Sequence, residues 1–150
     1  MKVYVDTSVF GGYFDEDFSE WSVKLIEQFM IGEKIVVISN ITEDELKNAP
    51  EKVRTLFYNI PAEHKEIVKL TNEAKELANK YIKEKVVTKK SLLDAQHIAI
   101  ATLNKVDVLV SWNFKHIVNY NKIRLYNSVN LKYGYPLLEI RNPRELTDEN

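Results

Sequence analysis

The sequence predicts an α/β fold with a central, mostly parallel sheet covered by helices on both faces. Two observations predict it. Apolar runs alternate with stretches of helical periodicity along the chain, the order expected of βαβ units. The runs themselves ("VYV", "IVVIS", "VDVLVS") are apolar throughout, as strands buried on both faces are. A third observation points to a site. Two of these runs break off abruptly into polar residues, "DTS" after the first and "SWN" after the later one. In such folds ligands bind beyond the carboxyl ends of the strands.

Each element follows in order. Val3 to Val5 reads as the first strand. Phe18, Trp21, Leu25, Ile26, Phe29 and Met30 recur at helical spacing, and Gly32 is a natural stop. "KIVVIS" is a second buried strand. "TEDELKNA" begins a helix with Thr42 as its expected N-cap. Pro50 suits the first turn of a helix that carries Val53, Leu56, Phe57 and Ile60. Thr71 caps the next, where Ala74, Leu77, Ala78, Tyr81 and Ile82 form a stripe. "SLLDAQHIAIATLNK" is a strong helix ending before Asp107, and the "VDVLVS" strand follows it. "RLYNSVNLKYGY" reads as a short helix before a last strand around "LLEIR".

Composition sets the outer limits. The chain has 150 residues, 45% of them hydrophobic, enough for one domain over residues 1–150 with a real core. No apolar run is long enough to span a bilayer. The first residues enter a strand pattern directly, without a basic and apolar leader, so no signal peptide is expected. Cysteine is absent. That excludes disulfides and thiolate metal sites and favours a cytoplasmic setting. The net charge is -1 and the pI near 6.3, so contact with nucleic acid requires a local basic patch.

Four polar residues stand out at one edge of the predicted sheet: Asp6, Glu45, Asp94 and Asn113. Converging carboxylates repel one another, and a hard cation such as Mg²⁺, which takes oxygen ligands, removes that cost. A metal-bound water can then attack a phosphodiester. Each residue also has a plain structural role open to it. Glu45 completes a T-x-x-E capping box with Thr42, and alone that is its stronger reading. Asp94 suits a helix N-terminus. Asn113 and Asp107 suit turns, and Asp107, which precedes its strand, lies at the wrong edge for the site. Asp6, directly after "VYV", is the hardest to explain by a turn or cap. His97 stands one turn after Asp94, and a satisfied core histidine is its stronger reading. His64 belongs to no motif. Lys115 and His116 suit an exposed turn or a phosphate contact. Lys83, Lys85, Lys89 and Lys90 form a basic stretch, either a solvated face or a substrate rim.

Taken together, "VYVDTSVF", "ISNITEDEL", "LLDAQHIAIAT" and "VDVLVSWNFKHI" resemble the PIN-domain family, in order and spacing, and the tail "YNSVNLKYGYPLLEIRNPREL" is similar to the end of one branch of it. The resemblance implies a three-layer α/β/α sandwich and a Mg²⁺- or Mn²⁺-dependent ribonuclease acting on single-stranded RNA. Asp6, Glu45 and Asp94 match the family's first three acids, and all four residues, Asn113 included, become the expected catalytic and metal-binding set. Asn113 falls where many members carry a fourth acid, so it brings no charge to a second metal. Ser8 and Ser111 match small polar positions that shape the pocket. Many members are toxins of toxin–antitoxin pairs and are often dimers, so an antitoxin and a homodimer are further expectations.

Two other functions stay open at this stage. One is a PIN-like module that binds RNA or a partner protein with little catalysis, favoured by the amide at Asn113 and the acidic net charge. The other is a phosphatase-type hydrolase, disfavoured because "VDTS" lacks the second aspartate of a D-x-D site.

Overall fold

The computed structural model describes residues 1–148. Its first apolar run forms β1 (Lys2–Val5), the middle strand of a five-stranded sheet. The others are β2 (Ile35–Ser39), β3 (Lys65–Val68), β4 (Val108–Val110) and β5 (Ile140–Arg141). Their spatial order is β3-β2-β1-β4-β5, and every neighbouring pair is parallel. The register sets Val3 between Val36 and Val108. Between the strands run α1 (Thr7–Gly12), α2 (Ser19–Ile31), α3 (Asn40–Lys47), α4 (Glu51–Asn59), α5 (Asn72–Lys83), α6 (Leu92–Leu103) and α7 (Tyr120–Lys132), with α8 (Pro143–Thr147) after β5.

Side chains alternate across a strand, so the sheet divides its apolar residues between two cores. Val3, Val5, Val36, Ile38, Val108 and Val110 pack with Phe10 of α1, Leu25 and Phe29 of α2, and Phe57 of α4. Tyr4, Val37, Leu109 and Ile140 pack with Leu77 and Tyr81 of α5, Ile98 of α6 and Tyr126 of α7. Burying each such side chain contributes about 1.5–3 kcal/mol. Helix propensities differ by less than about 1 kcal/mol per residue for most residues, so burial on the two faces decides the architecture. The result is the α/β/α sandwich expected from the sequence.

The winding places the site. The chain moves from β1 outward through β2 to β3, then crosses to the other side of β1 for β4 and β5. The direction reverses between β1 and β4. At such a reversal a crevice opens beyond the carboxyl ends of the two strands. Those ends carry Asp6 on one side and Ser111 to Asn113 on the other.

Several elements differ from expectation. Helix α3 starts at Asn40, because Ser39 Oγ at the strand end accepts the Ile41 N–H at 3.2 Å and caps it. Thr42 lies inside the first turn, fully buried, with its hydroxyl toward the Val5 carbonyl at 3.5 Å. The T-x-x-E capping box is therefore absent. A reciprocal box forms instead at Asn142 and Glu145, opening α8 behind Pro143. Strand β3 was not foreseen. Its sequence, "KEIV", is half-exposed, and pairing with β2 rather than an apolar pattern makes it a strand. Helix α1 was also unforeseen, and α7 starts at Tyr120, four residues before the expected Arg124, because Asn119 Oδ1 accepts the N–H groups of Asn121 and Lys122. Gly32 ends α2 as expected, at a φ of 82° that only glycine adopts without strain.

Candidate active site

Asp6 follows β1 and is only 6% exposed. It stands at the N-cap position of α1, yet its side chain makes no capping bond. Its two oxygens are held from elsewhere. Ser8 Oγ donates to Oδ1 at 2.5 Å, and Ser111 Oγ, at the tip of β4, donates to Oδ2 at 2.6 Å. The same hydroxyls accept backbone N–H groups, Ser8 from Trp112 at 2.9 Å and Ser111 from Asn113 at 2.9 Å. The tips of β1 and β4 are thereby stitched together through Asp6. Trp112 turns the other way. Its Nε1 donates to Ser22 Oγ of α2 at 2.8 Å, and its ring stacks on Phe18 at 4.2 Å. This explains why a buried strand ends on Ser-Trp-Asn. The aromatic anchors the turn in the core, and its polar neighbours face the crevice.

Asp94 is the third residue of α6 and half-buried. Asn113 Nδ2 donates to its Oδ1 at 3.3 Å. The orientation of that amide is fixed by its other end. Asn113 Oδ1 accepts the N–H groups of Lys115 at 3.2 Å and His116 at 2.9 Å, so the oxygen serves the turn and the NH₂ faces Asp94.

Glu45 reaches the crevice from α3. Its Oε1 lies 2.9 Å from Nε2 of His97, which is 2% exposed. His97 Nδ1 lies 2.7 Å from the Tyr4 hydroxyl, itself 2.8 Å from Ser39 Oγ. The two ring nitrogens bridge Glu45 and Tyr4, with the donor at each end set by the His97 tautomer. His97 is thus both a satisfied core histidine and the support of Glu45. Tyr4 was missed from the sequence. The available signal was a phenol in an otherwise aliphatic strand, since a buried hydroxyl requires a partner.

The electrostatics follow from burial. Burial raises the Asp6 pKa above its ordinary value, the His97 ring and the Ser111 and Ser8 hydroxyls oppose that rise, and Glu45 adds to it. Burial likewise raises Asp94, opposed by His116 and His97 and reinforced by the Asp6 charge. No lysine or arginine pairs with Asp6, Glu45 or Asp94 among the described residues. The three sequence-singled acids therefore share one field with no fixed cation to balance them. Among the described residues, no three Asp, Glu, His or Cys side chains form a ready-made metal cage. The donors are nonetheless hard oxygens, and Mg²⁺ commonly binds through one or two carboxylates while keeping several waters. The acids fit a hydrated ion.

The remaining candidates lie elsewhere. Asp107 Oδ2 accepts the Lys2 N–H at 2.7 Å, at the opposite edge of the sheet. His64 Nδ1 lies against the carbonyls of Phe29 and Met30 at the end of α2. Lys89 and Lys90 lie exposed in a short 3₁₀ turn before α6.

Comparison with known proteins adds the lineage. No match is found among curated proteins. Solved structures similar in fold include FitAcB from Neisseria gonorrhoeae (TM-score 0.59, 15% identity, covering 94% of this chain and 97% of that one). VapBC2 from Rickettsia felis, solved with a DNA fragment from its promoter, gives a TM-score of 0.57 at 14% identity over 95% and 98%. VapC20 from Mycobacterium tuberculosis, described as a sarcin–ricin loop cleaving toxin, gives 0.56 at 14% over 76% and 92%. At these identities the likeness is one of fold. The sequence itself matches the PIN domain family model over residues 3–115, a stretch that contains Asp6, Glu45, Asp94 and Asn113, and the chain belongs to the PIN domain family.

Proposed function

We propose that the crevice between β1 and β4 is the catalytic centre of a metal-dependent endoribonuclease acting on single-stranded RNA. One observation carries this reading: a carboxylate buried at the strand switch point, beside two further acids, without a lysine or arginine partner among the described residues. A buried unpaired charge is costly, and a divalent cation offsets that cost. Asp6, Glu45 and Asp94 would hold Mg²⁺ or Mn²⁺. When bound, the ion supplies an activated water and stabilises the charge that develops on the phosphodiester.

The chain's own residues provide position. Ser8 and Ser111 fix both Asp6 oxygens and leave each a further lone pair for ligation. His97, held by Tyr4, fixes Glu45. Asn113 orients Asp94 through its NH₂ rather than offering its oxygen as a ligand. Membership of the PIN domain family supports nuclease chemistry. VapC20, described as a loop-cleaving toxin, supports an RNA substrate. The VapBC2 structure and a toxin–antitoxin complex from Klebsiella pneumoniae support a toxin role with an antitoxin partner.

The test is cleavage of diverse single-stranded RNAs with Mn²⁺. Cutting by the wild type and its loss in Asp6→Asn support the reading. Intact RNA throughout overturns it. Salt-sensitive RNA binding without cutting would select the catalytically weak binding module instead, a reading favoured by the commitment of the Asn113 oxygen to its turn.

A further inference from the structure

A cavity of about 320 Å³ opens beside the acidic crevice, between the end of α5, the segment leading to α6, and the turn that follows Asn113. Val86 and Val87 floor it, and Lys85, Thr88, His116 and Lys122 supply its polar groups. Its charge is opposite to that of the crevice. Neither Lys85 nor Lys122 pairs with a carboxylate among the described residues, whereas the nearby Lys132 pairs with Glu84 at 3.1 Å. Lys122 is half-buried and aimed, its Nζ donating to the Val86 carbonyl. That leaves further N–H donors on the ammonium for a ligand. Lys85, exposed where it lines the cavity, holds a left-handed backbone, φ 65°. His116 belongs to the same turn as Asn113, donating its N–H to the Asn113 side chain at 2.9 Å. The Asn113 amide in turn donates to Asp94 at 3.3 Å, so the cavity and the crevice are neighbours.

Two unneutralised ammonium groups, an imidazole and a hydroxyl around one hollow select a compact anion. We propose that this cavity holds a phosphate of the single strand, flanking the one cut in the crevice. The proposal rests on the reading of the crevice as a nuclease centre. It also explains how a chain of net charge -1 engages a polyanion, since the basic groups are gathered where the strand must pass. Lys89 and Lys90, the most obvious basic pair in the sequence, do not line the cavity.

The experiment is binding of a labelled single-stranded RNA across a salt series in EDTA, followed by fluorescence anisotropy. The variants are Lys85→Asn, which tolerates the left-handed backbone, Lys122→Gln, which keeps a donor for the Val86 carbonyl, and the double change. Lys89→Ala with Lys90→Ala is the control. Each lost phosphate contact lowers the log–log salt slope by roughly 0.7. The double variant is expected to show that drop while keeping the wild-type melting temperature and its rise with Mn²⁺. A slope equal to wild type, or a wild type that binds no RNA, overturns the subsite. Titration with inorganic phosphate separates the sources. Phosphate that displaces RNA from wild type but not from the double variant supports a shared phosphate site. Phosphate binding lost in the variant with an unchanged RNA slope would reassign the cavity to a free anion and overturn the strand subsite. If the pocket variants lower the slope and the wild type still leaves RNA uncut with Mn²⁺, the nuclease reading falls and the subsite stands.

Discussion

Asp94 satisfies two demands at once, and they predict opposite outcomes for its removal. In the first turn of α6 its charge interacts favourably with the helix dipole, so on that ground Asp94→Asn costs about 0.3–1 kcal/mol. In the crevice, burial and the Asp6 charge raise its pKa, so the ionised form is disfavoured on folding. A carboxyl raised on folding contributes stability at low pH that is lost as pH rises through its folded value. We expect Asp94→Asn in EDTA to melt at or above the wild-type temperature near neutrality. The advantage should vanish below about pH 4, where the wild-type carboxyl is protonated in both states. The variant should also lose RNA cleavage. A destabilised Asp94→Asn that still cuts at the wild-type rate would falsify its catalytic role. Ser111 tests the support instead of the ligand. Ser111→Ala removes one of the two hydroxyls that hold Asp6. Loss of a group that orients a metal ligand typically costs 10–100-fold in activity or metal affinity, roughly speaking. Mn²⁺ titration of cleavage should show a weaker apparent affinity, and an unchanged titration curve would remove Ser111 from the site.

At the scale of the element, α1 depends on one close approach. A Cβ at Gly12 would lie 2.6 Å from Ser22 Oγ and 2.7 Å from Trp112 Nε1, the two atoms of the hydrogen bond that anchors the Ser-Trp-Asn turn. Gly12→Ala must push them apart, and forced overpacking of this kind costs typically 1–3 kcal/mol, about the same scale as one lost core contact. We expect a lower denaturation midpoint together with altered tryptophan fluorescence. A change in stability with unaltered emission would place the strain elsewhere. Glu45 carries the complementary lesson. Its sequence pattern fits a capping box, but Ser39 already caps α3, and the side chain is left free to meet His97.

Across the whole molecule, the crevice is a meeting of four separate stretches, so a ligand that bridges them stabilises the fold. An ion that binds only the native state adds about 2.7 kcal/mol at one hundred times its dissociation constant. Mn²⁺ should therefore raise the melting temperature of the wild type and raise that of Asp6→Asn less. Equal rises in the two proteins would count against Asp6 as a ligand. The described residues contain no helix long and apolar enough to cross a membrane.

The layered α/β architecture, and which acids stand at strand or helix ends, are written in the order of residues alone. Both are local: burial on two faces writes apolar runs, and a polar residue at the tip of such a run is visible without any partner. Asp6 and Asp94 were legible for that reason. The rest came from the way the chain folds back on itself. It set the strand order, hence the switch point between β1 and β4, because parallel pairing joins residues far apart in the chain. It made an edge strand of "KEIV" through β2, since an edge needs only a neighbour's hydrogen bonds. It turned the Asn113 oxygen into its own turn and brought Tyr4 to His97, contacts of orientation that no spacing encodes. It also brought Lys85, His116 and Lys122 to one hollow, because like charges distant in sequence meet only where the chain folds them together.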